Sequence, residues 1–161
     1  MLSNCTKNLL NLKDVNIKSI KTNSGIKDVV SYVKEYGFDV GVFSTVEDSE
    51  NNIQGYIAVS NDKREIGVFR GIPYRTQKFL VIYLFSSYIF NGNDDLFADM
   101  VYNESIYDEE VYNYTLDLLM PDQHFRKLLD QSKENVKLLT DEYNLSRVMI
   151  EEKIKRLRKE K

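Results

Sequence analysis

Apolar residues recur every three to four positions in some stretches of the chain and every second position in others, and one segment is apolar on every side. Over residues 24–36, Ile26, Val29, Val30 and Val33 share one helical face, Ser24 can cap the start and Gly37 can end it. Residues 39–45, 53–60 and 65–69 then alternate, or are rich in β-branched side chains. Polar clusters such as Glu47-Asp48-Ser49-Glu50-Asn51-Asn52 and Asn61-Asp62-Lys63 separate them, as turns between strands do. This pattern predicts a small antiparallel sheet.

Over residues 73–91 the pattern changes. Pro73 suits the first turn of a helix, where its missing N–H costs no bond. The core of that helix, Lys78-Phe79-Leu80-Val81-Ile82-Tyr83-Leu84-Phe85-Ser86-Ser87-Tyr88, is apolar nearly all round and therefore predicts a buried central helix. Residues 1–23 have only weak periodicity. Residues 91–110 are acidic, with Asp94, Asp95, Asp99, Glu104, Asp108, Glu109 and Glu110 set among Leu96, Phe97, Met100, Val101, Tyr102 and Tyr107. A solvated face beside a half-buried aromatic row is the expectation there, because the Asp-x-Asp-x-Asp-Gly spacing of a calcium loop is missing. If functional, such an acidic surface suits a basic protein partner or mimicry of nucleic acid.

Beyond Pro121, Asp122 can cap a helix carrying Phe125, Leu128 and Leu129. Residues 136–150 then read as helix, tight turn, helix, with Asn144 ending the first and Ser146 capping the second. That layout is shared with DNA-binding motifs, and Lys153, Lys155, Arg156 and Arg158 in the last helix are the positions that would touch nucleic acid or a partner. Lys and Arg near a helix C-terminus also complement its dipole. The chain divides accordingly into an N-terminal segment 1–23, a main domain 24–121 and a C-terminal helical segment 122–161.

Composition limits the functional classes. A chain of 161 residues, 42% hydrophobic and 29% charged, can bury a domain-sized core. Its net charge of −3 opposes duplex binding as a main activity, since that affinity comes from neutralising phosphates. The apolar run over 79–90 is shorter than the roughly 20 residues that a membrane span needs. No N-terminal stretch joins basic residues to a long apolar run. A cytoplasmic protein without membrane contact is expected. Cys5, the one cysteine, has nothing in the chain to pair with.

Two segments carry a family resemblance. The helix core 78–88, followed by Glu109-Glu110-Val111-Tyr112-Asn113-Tyr114-Thr115-Leu116-Asp117-Leu118-Leu119-Met120-Pro121, resembles the ImmA/IrrE metallopeptidases. That family has an R-F-T-x-A-H-E-x-G-H helix followed by E-x-A-N-x-F-A-x-x-L-L-M-P. The resemblance implies an α+β, zincin-like metallopeptidase fold with a C-terminal helix-turn-helix-like segment. It also places Tyr83, Leu84 and Ser87 at the first His, the Glu and the second His of the zinc motif. Glu110 falls at the third ligand, with Asp108 and Glu109 as adjacent alternatives. Val111 and Tyr112 stand where the family has Ala and Asn.

In an H-E-x-x-H helix two imidazoles four residues apart converge on one Zn²⁺, and the Glu deprotonates the metal-bound water. A phenol, an aliphatic chain and a hydroxyl cannot do this, because neutral Tyr and Ser are poor zinc ligands and Leu accepts no proton. His124 is the only histidine, so neither a rebuilt zinc site nor a serine triad around Ser86 or Ser87 has its parts. His124 is expected on the surface of a helix's first turn. No catalytic residue, metal or cofactor is expected.

The reading is a degenerate, non-catalytic ImmA/IrrE-like regulator of the phage or mobile-element type that binds a partner such as a helix-turn-helix repressor. One alternative is a metallo-endopeptidase with a non-standard zinc site. A further alternative is a DNA-binding regulator that uses the terminal helices. Tyr83 is expected to fill the space that a metal and its ligand would occupy.

Overall fold

The structure is a computed structural model in which residues 12, 15–44, 53–91, 96–102 and 106–160 are described. Within these, six helices and four strands follow in the order α1 (Ile26–Glu35), β1 (Phe38–Phe43), β2 (Ile53–Ser60), β3 (Lys63–Phe69), α2 (Tyr74–Asn91), β4 (Phe97–Tyr102), α3 (Glu109–Leu119), α4 (Asp122–Gln131), α5 (Val136–Tyr143) and α6 (Arg147–Lys159). The fold is mixed α+β.

The sheet is mixed, not antiparallel as the strand pattern suggested. Its order is β1-β3-β2-β4, and β1 runs parallel to β3 with Phe38 opposite Arg64 and Phe43 opposite Phe69. The β2–β3 and β2–β4 pairs are antiparallel. Alternation reports which face of a strand is buried but not which strand lies beside it, so the parallel pairing leaves no mark on the pattern. The fourth strand, β4, falls in the acidic stretch read as a solvated face. Its burial alternates, but the inward positions are Phe97, Asp99 and Val101 and the outward ones include the exposed Met100 and Tyr102, so polarity in the sequence does not follow the faces.

On the inner face Gly55, Ile57 and Val59 of β2 lie level with Val68, Ile66 and Arg64 of β3. The inner face is covered by α2, whose residues from Gln77 to Tyr88 are all buried. A Cβ on Gly55 would lie 3.1 Å from the Leu84 side chain, so this glycine sets how closely α2 can settle. On the outer face, a Cβ on Gly67 would stand 2.1 Å from the Tyr56 ring, which lies across the strand there. Burial of Arg64 is offset by its hydrogen bond to the Tyr36 carbonyl at 2.7 Å and by the Phe38 and Tyr88 rings, whose centres lie 5.7 and 5.5 Å from the guanidinium carbon.

The helix α1 lies along α2, with Val29 and Val33 buried and Tyr32 and Tyr36 edging against Phe85. Its cap is Gly25, not the expected Ser24, and the Gly25 N–H donates to the Asp28 carboxylate at 2.8 Å. Ser24 is buried and serves through its carbonyl instead. Pro121 likewise takes the cap position before α4, leaving Asp122 as the first helical residue. Asn144 ends α5 in the left-handed region at φ 52°, as the sequence predicts. Ser146 precedes α6 without a side-chain capping bond. The extended residues before α1 pack on the body, where the Ile20 N–H donates to the Leu118 carbonyl at 3.0 Å.

Candidate functional site

Tyr83, Leu84 and Ser87 of α2, the positions that the resemblance sets against a zinc motif, are all buried, and the two polar ones are engaged. The Tyr83 hydroxyl accepts the backbone N–H of Asp108 at 3.0 Å, so it secures the residue that caps α3. The Asp108 carboxylate in turn accepts the Val111 N–H at 3.0 Å, which occupies it as a helix cap. Tyr83 stacks on Phe79 with ring centres 5.8 Å apart and meets the Tyr107 ring at 4.9 Å. Burial raises the Tyr83 phenol above its usual range, the Asp108 N–H draws it partly back, and the Asp99 and Asp108 carboxylates add to the rise. The phenol stays protonated and fills the position.

Leu84 is fully buried against the sheet, as its contact with Gly55 requires. One turn on, the Ser87 hydroxyl donates to the Asp99 carboxylate of β4 at 3.0 Å. Ser86 bonds back to the Ile82 carbonyl at 2.7 Å, as serines in buried helices commonly do. Glu110 lies exposed in the first turn of α3, together with Glu109. Among the described residues no group of three or more His, Cys, Asp or Glu side chains is placed to hold a metal ion. The hydroxyls of Tyr83 and Ser87 are poor zinc donors and Leu84 has no donor atom, so these positions do not fit zinc.

His124 lies half-buried in the first turn of α4. Its Nδ1 lies 2.7 Å from the hydroxyl of Tyr143, which is fully buried, and the two rings meet edge to face. Cys5, Asp94, Asp95 and Glu104 lie outside the described residues.

The four C-terminal cations have different fates. Lys153 is fully buried and holds Asp117 at 2.9 Å and Asp122 in a still closer ion pair, so this predicted contact is an internal strut joining α6 to α3 and α4. Arg156 pairs closely with Asp117 and donates to the Asn113 carbonyl at 2.9 Å. Burial alone would raise the Asp122 carboxyl, but the hydrogen bond and charge of Lys153, followed by the charges of Arg156 and Arg126, hold it below its ordinary value. Arg158 pairs with Glu134 at the surface, 2.6 Å apart. Lys155 is exposed. It borders a groove of about 550 Å³ whose lining also includes Tyr107 and Tyr112.

Sequence reading missed Lys78. This residue is 2% exposed, and its ammonium donates to the carbonyls of Ser24 and Tyr143 at 2.7 Å and of Asn144 at 3.4 Å. Arg75, one turn earlier, reaches the Asn144 side chain at 3.1 Å and the Leu145 carbonyl at 3.3 Å. Burial lowers the Lys78 ammonium to about 8, and the neighbouring Arg75 adds to the fall while Asp28 opposes it. A lysine opening an otherwise apolar buried run was the available signal.

Comparison of the chain with family models, curated proteins and solved structures finds no match. Among the described residues no helix is long and apolar enough to cross a membrane.

Proposed function

We propose that this chain is a non-catalytic relative of the ImmA/IrrE peptidases, zincin-like in fold. It acts in the cytoplasm by holding a protein partner such as a helix-turn-helix repressor. The carrying observation is the engagement of Tyr83 with Asp108. A phenol buried in the first ligand position, bonded to the start of the helix that carries the third, supports a site converted from metal chemistry to packing. Leu84 against Gly55 and Ser87 on Asp99 support the same reading at the other two positions.

Engagement of Lys153 and Arg156 in internal ion pairs weighs against duplex DNA as the primary ligand, because only exposed cations can replace counterions on phosphate.

Elemental analysis of protein purified without chelator tests the proposal. Absence of stoichiometric zinc, together with recovery of a repressor-like protein on the tagged chain, is the expected result. Zinc approaching one ion per chain would sink it and favour the metallo-endopeptidase alternative.

A further inference from the structure

We infer that the groove between the start of α3 and the exposed face of α6 is the docking site for an amphipathic helix of a partner protein, with aliphatic side chains inward and carboxylates along one edge. The inference rests on the binding role proposed above and adds a location and a ligand chemistry. The groove measures about 550 Å³. One wall is the α6 stripe Val148, Glu152, Lys155 and Lys159, whose spacing of four, three and four residues puts all of them on one helical face. From Val148 to Lys159 this wall runs about 16 Å, which matches three turns of a partner helix.

The remaining lining supplies apolar contact. Tyr107 and Tyr112 stack with ring centres 5.7 Å apart, and Tyr107 is 36% exposed. Beyond them Val148 is 65% exposed. Aromatic rings with few rotatable bonds lose little entropy on binding and make good anchors. Tyr107 also touches Tyr83 and Phe79, so the groove floor continues the packing that fills the degenerate zinc motif.

Charge identifies the occupant. Among the described residues neither Lys155 nor Lys159 makes a salt bridge, whereas Arg156 beside them is taken up by Asp117. Two unpaired ammonium groups on one edge of an apolar trough suit a helix with carboxylates at that edge. Glu109 and Glu152 lie elsewhere on the lining, so the occupant's carboxylates are confined to the edge that carries Lys155 and Lys159.

The test is titration of the full chain with a fluorescently labelled designed helix of three turns, carrying a leucine stripe flanked by glutamates, and with its twin carrying lysines instead. The acidic helix is expected to bind in the micromolar range and more weakly as salt rises, while the basic twin does not. Lys155→Glu combined with Lys159→Glu, both at exposed sites, should weaken binding at least about tenfold with an unchanged circular dichroism spectrum, and Val148→Asp should do the same. Equal binding of both helices, binding of neither, or indifference to the charge reversal overturns the inference. So does displacement of the acidic helix by random-sequence duplex DNA, or a dimer of the chain that Val148→Asp dissolves. Zinc in the purified protein with acidic-helix binding intact would remove the non-catalytic reading and leave the groove. Metal-free protein that binds neither helix would remove the groove and leave that reading.

Discussion

The ammonium of Lys78 lies 2.7 Å from the carbonyl of Tyr143, joining the first turns of α2 to the end of α5. The same nitrogen holds the carbonyl of Ser24 just before α1. Three segments far apart in the chain therefore meet on one cation. The last carbonyls of a helix have no partners within it and carry the negative end of its dipole, so a buried ammonium is well placed against them.

Lys78 gives the stability an unusual pH dependence. The folded state holds this ammonium at about 8, below its ordinary value of 10.5, so between those values the unfolded chain binds more protons. Stability should therefore rise with pH from about 8 towards 10, by up to about 3 kcal/mol, and this rise should be absent in Lys78→Met. At neutral pH the same variant leaves carbonyls unpartnered and should cost about 1–3 kcal/mol. Urea midpoints across this range, for both proteins, check the slope.

Above pH 10 the sign reverses. Burial raises the phenols of Tyr32, Tyr143 and Tyr112, the last to about 12, so the folded state keeps protons that the unfolded chain releases. Their stabilisation is complete below 10 and is lost as pH climbs through the folded values. The part of the tyrosinate absorbance that comes from these buried rings should therefore appear in a cooperative step that coincides with loss of helical circular dichroism.

Tyr83→Phe keeps the ring stack with Phe79 and Tyr107 but leaves the Asp108 N–H without its acceptor. A loss of about 1 kcal/mol is expected, with faster amide exchange in the first turn of α3 and no change in β1. Uniform exchange throughout the protein would show that the hydroxyl does not secure this helix end.

Lys153→Met should cost about 2–3 kcal/mol, because it removes the cation shared by Asp117 and Asp122. Both aspartates are 45% exposed, so water offsets part of the loss. The Asp122 carboxyl is held below its ordinary value of 3.8, and the stability this gives is present above that value and disappears as pH falls through the folded one. Acid denaturation of Lys153→Met should therefore be shallower than that of the wild type.

Gly67→Ala directs a methyl group at the Tyr56 ring and should destabilise by about 1–3 kcal/mol. In Tyr56→Ala the same change should cost much less, and the two substitutions should be non-additive in a double-mutant cycle. Additive costs would place the strain elsewhere than on this ring.

How much could be read in advance varied with how each element is buried. The central helix announced itself because a segment enclosed on every side must be apolar on every side. The α5–α6 turn was legible because Asn144 tolerates the left-handed backbone that ends a helix. Capping was less legible, since Ser24 and Asp122 could equally cap or pack, and each has its backbone or side chain in a tertiary contact instead. The candidate site was half legible. That positions 83, 84 and 87 carry Tyr, Leu and Ser stood in the sequence, but the engagements of Tyr83 with Asp108 and of Ser87 with Asp99 join positions 25 and 12 residues apart.

The sequence by itself determined α1, the first three strands, the central helix and the α5–α6 turn, and that positions 83, 84 and 87 carry Tyr, Leu and Ser. Each of these follows from local periodicity or from the chemistry of single residues. The tertiary structure alone decided the parallel placement of β1, the use of β4 as an edge, the meeting of three segments on Lys78, and which C-terminal cations face solvent. Lys153 and Lys155 are chemically identical and two positions apart on one helix. One is a buried strut and the other a groove wall, because helical geometry turns them to different sides and only the packing of α3 and α4 says which side is covered.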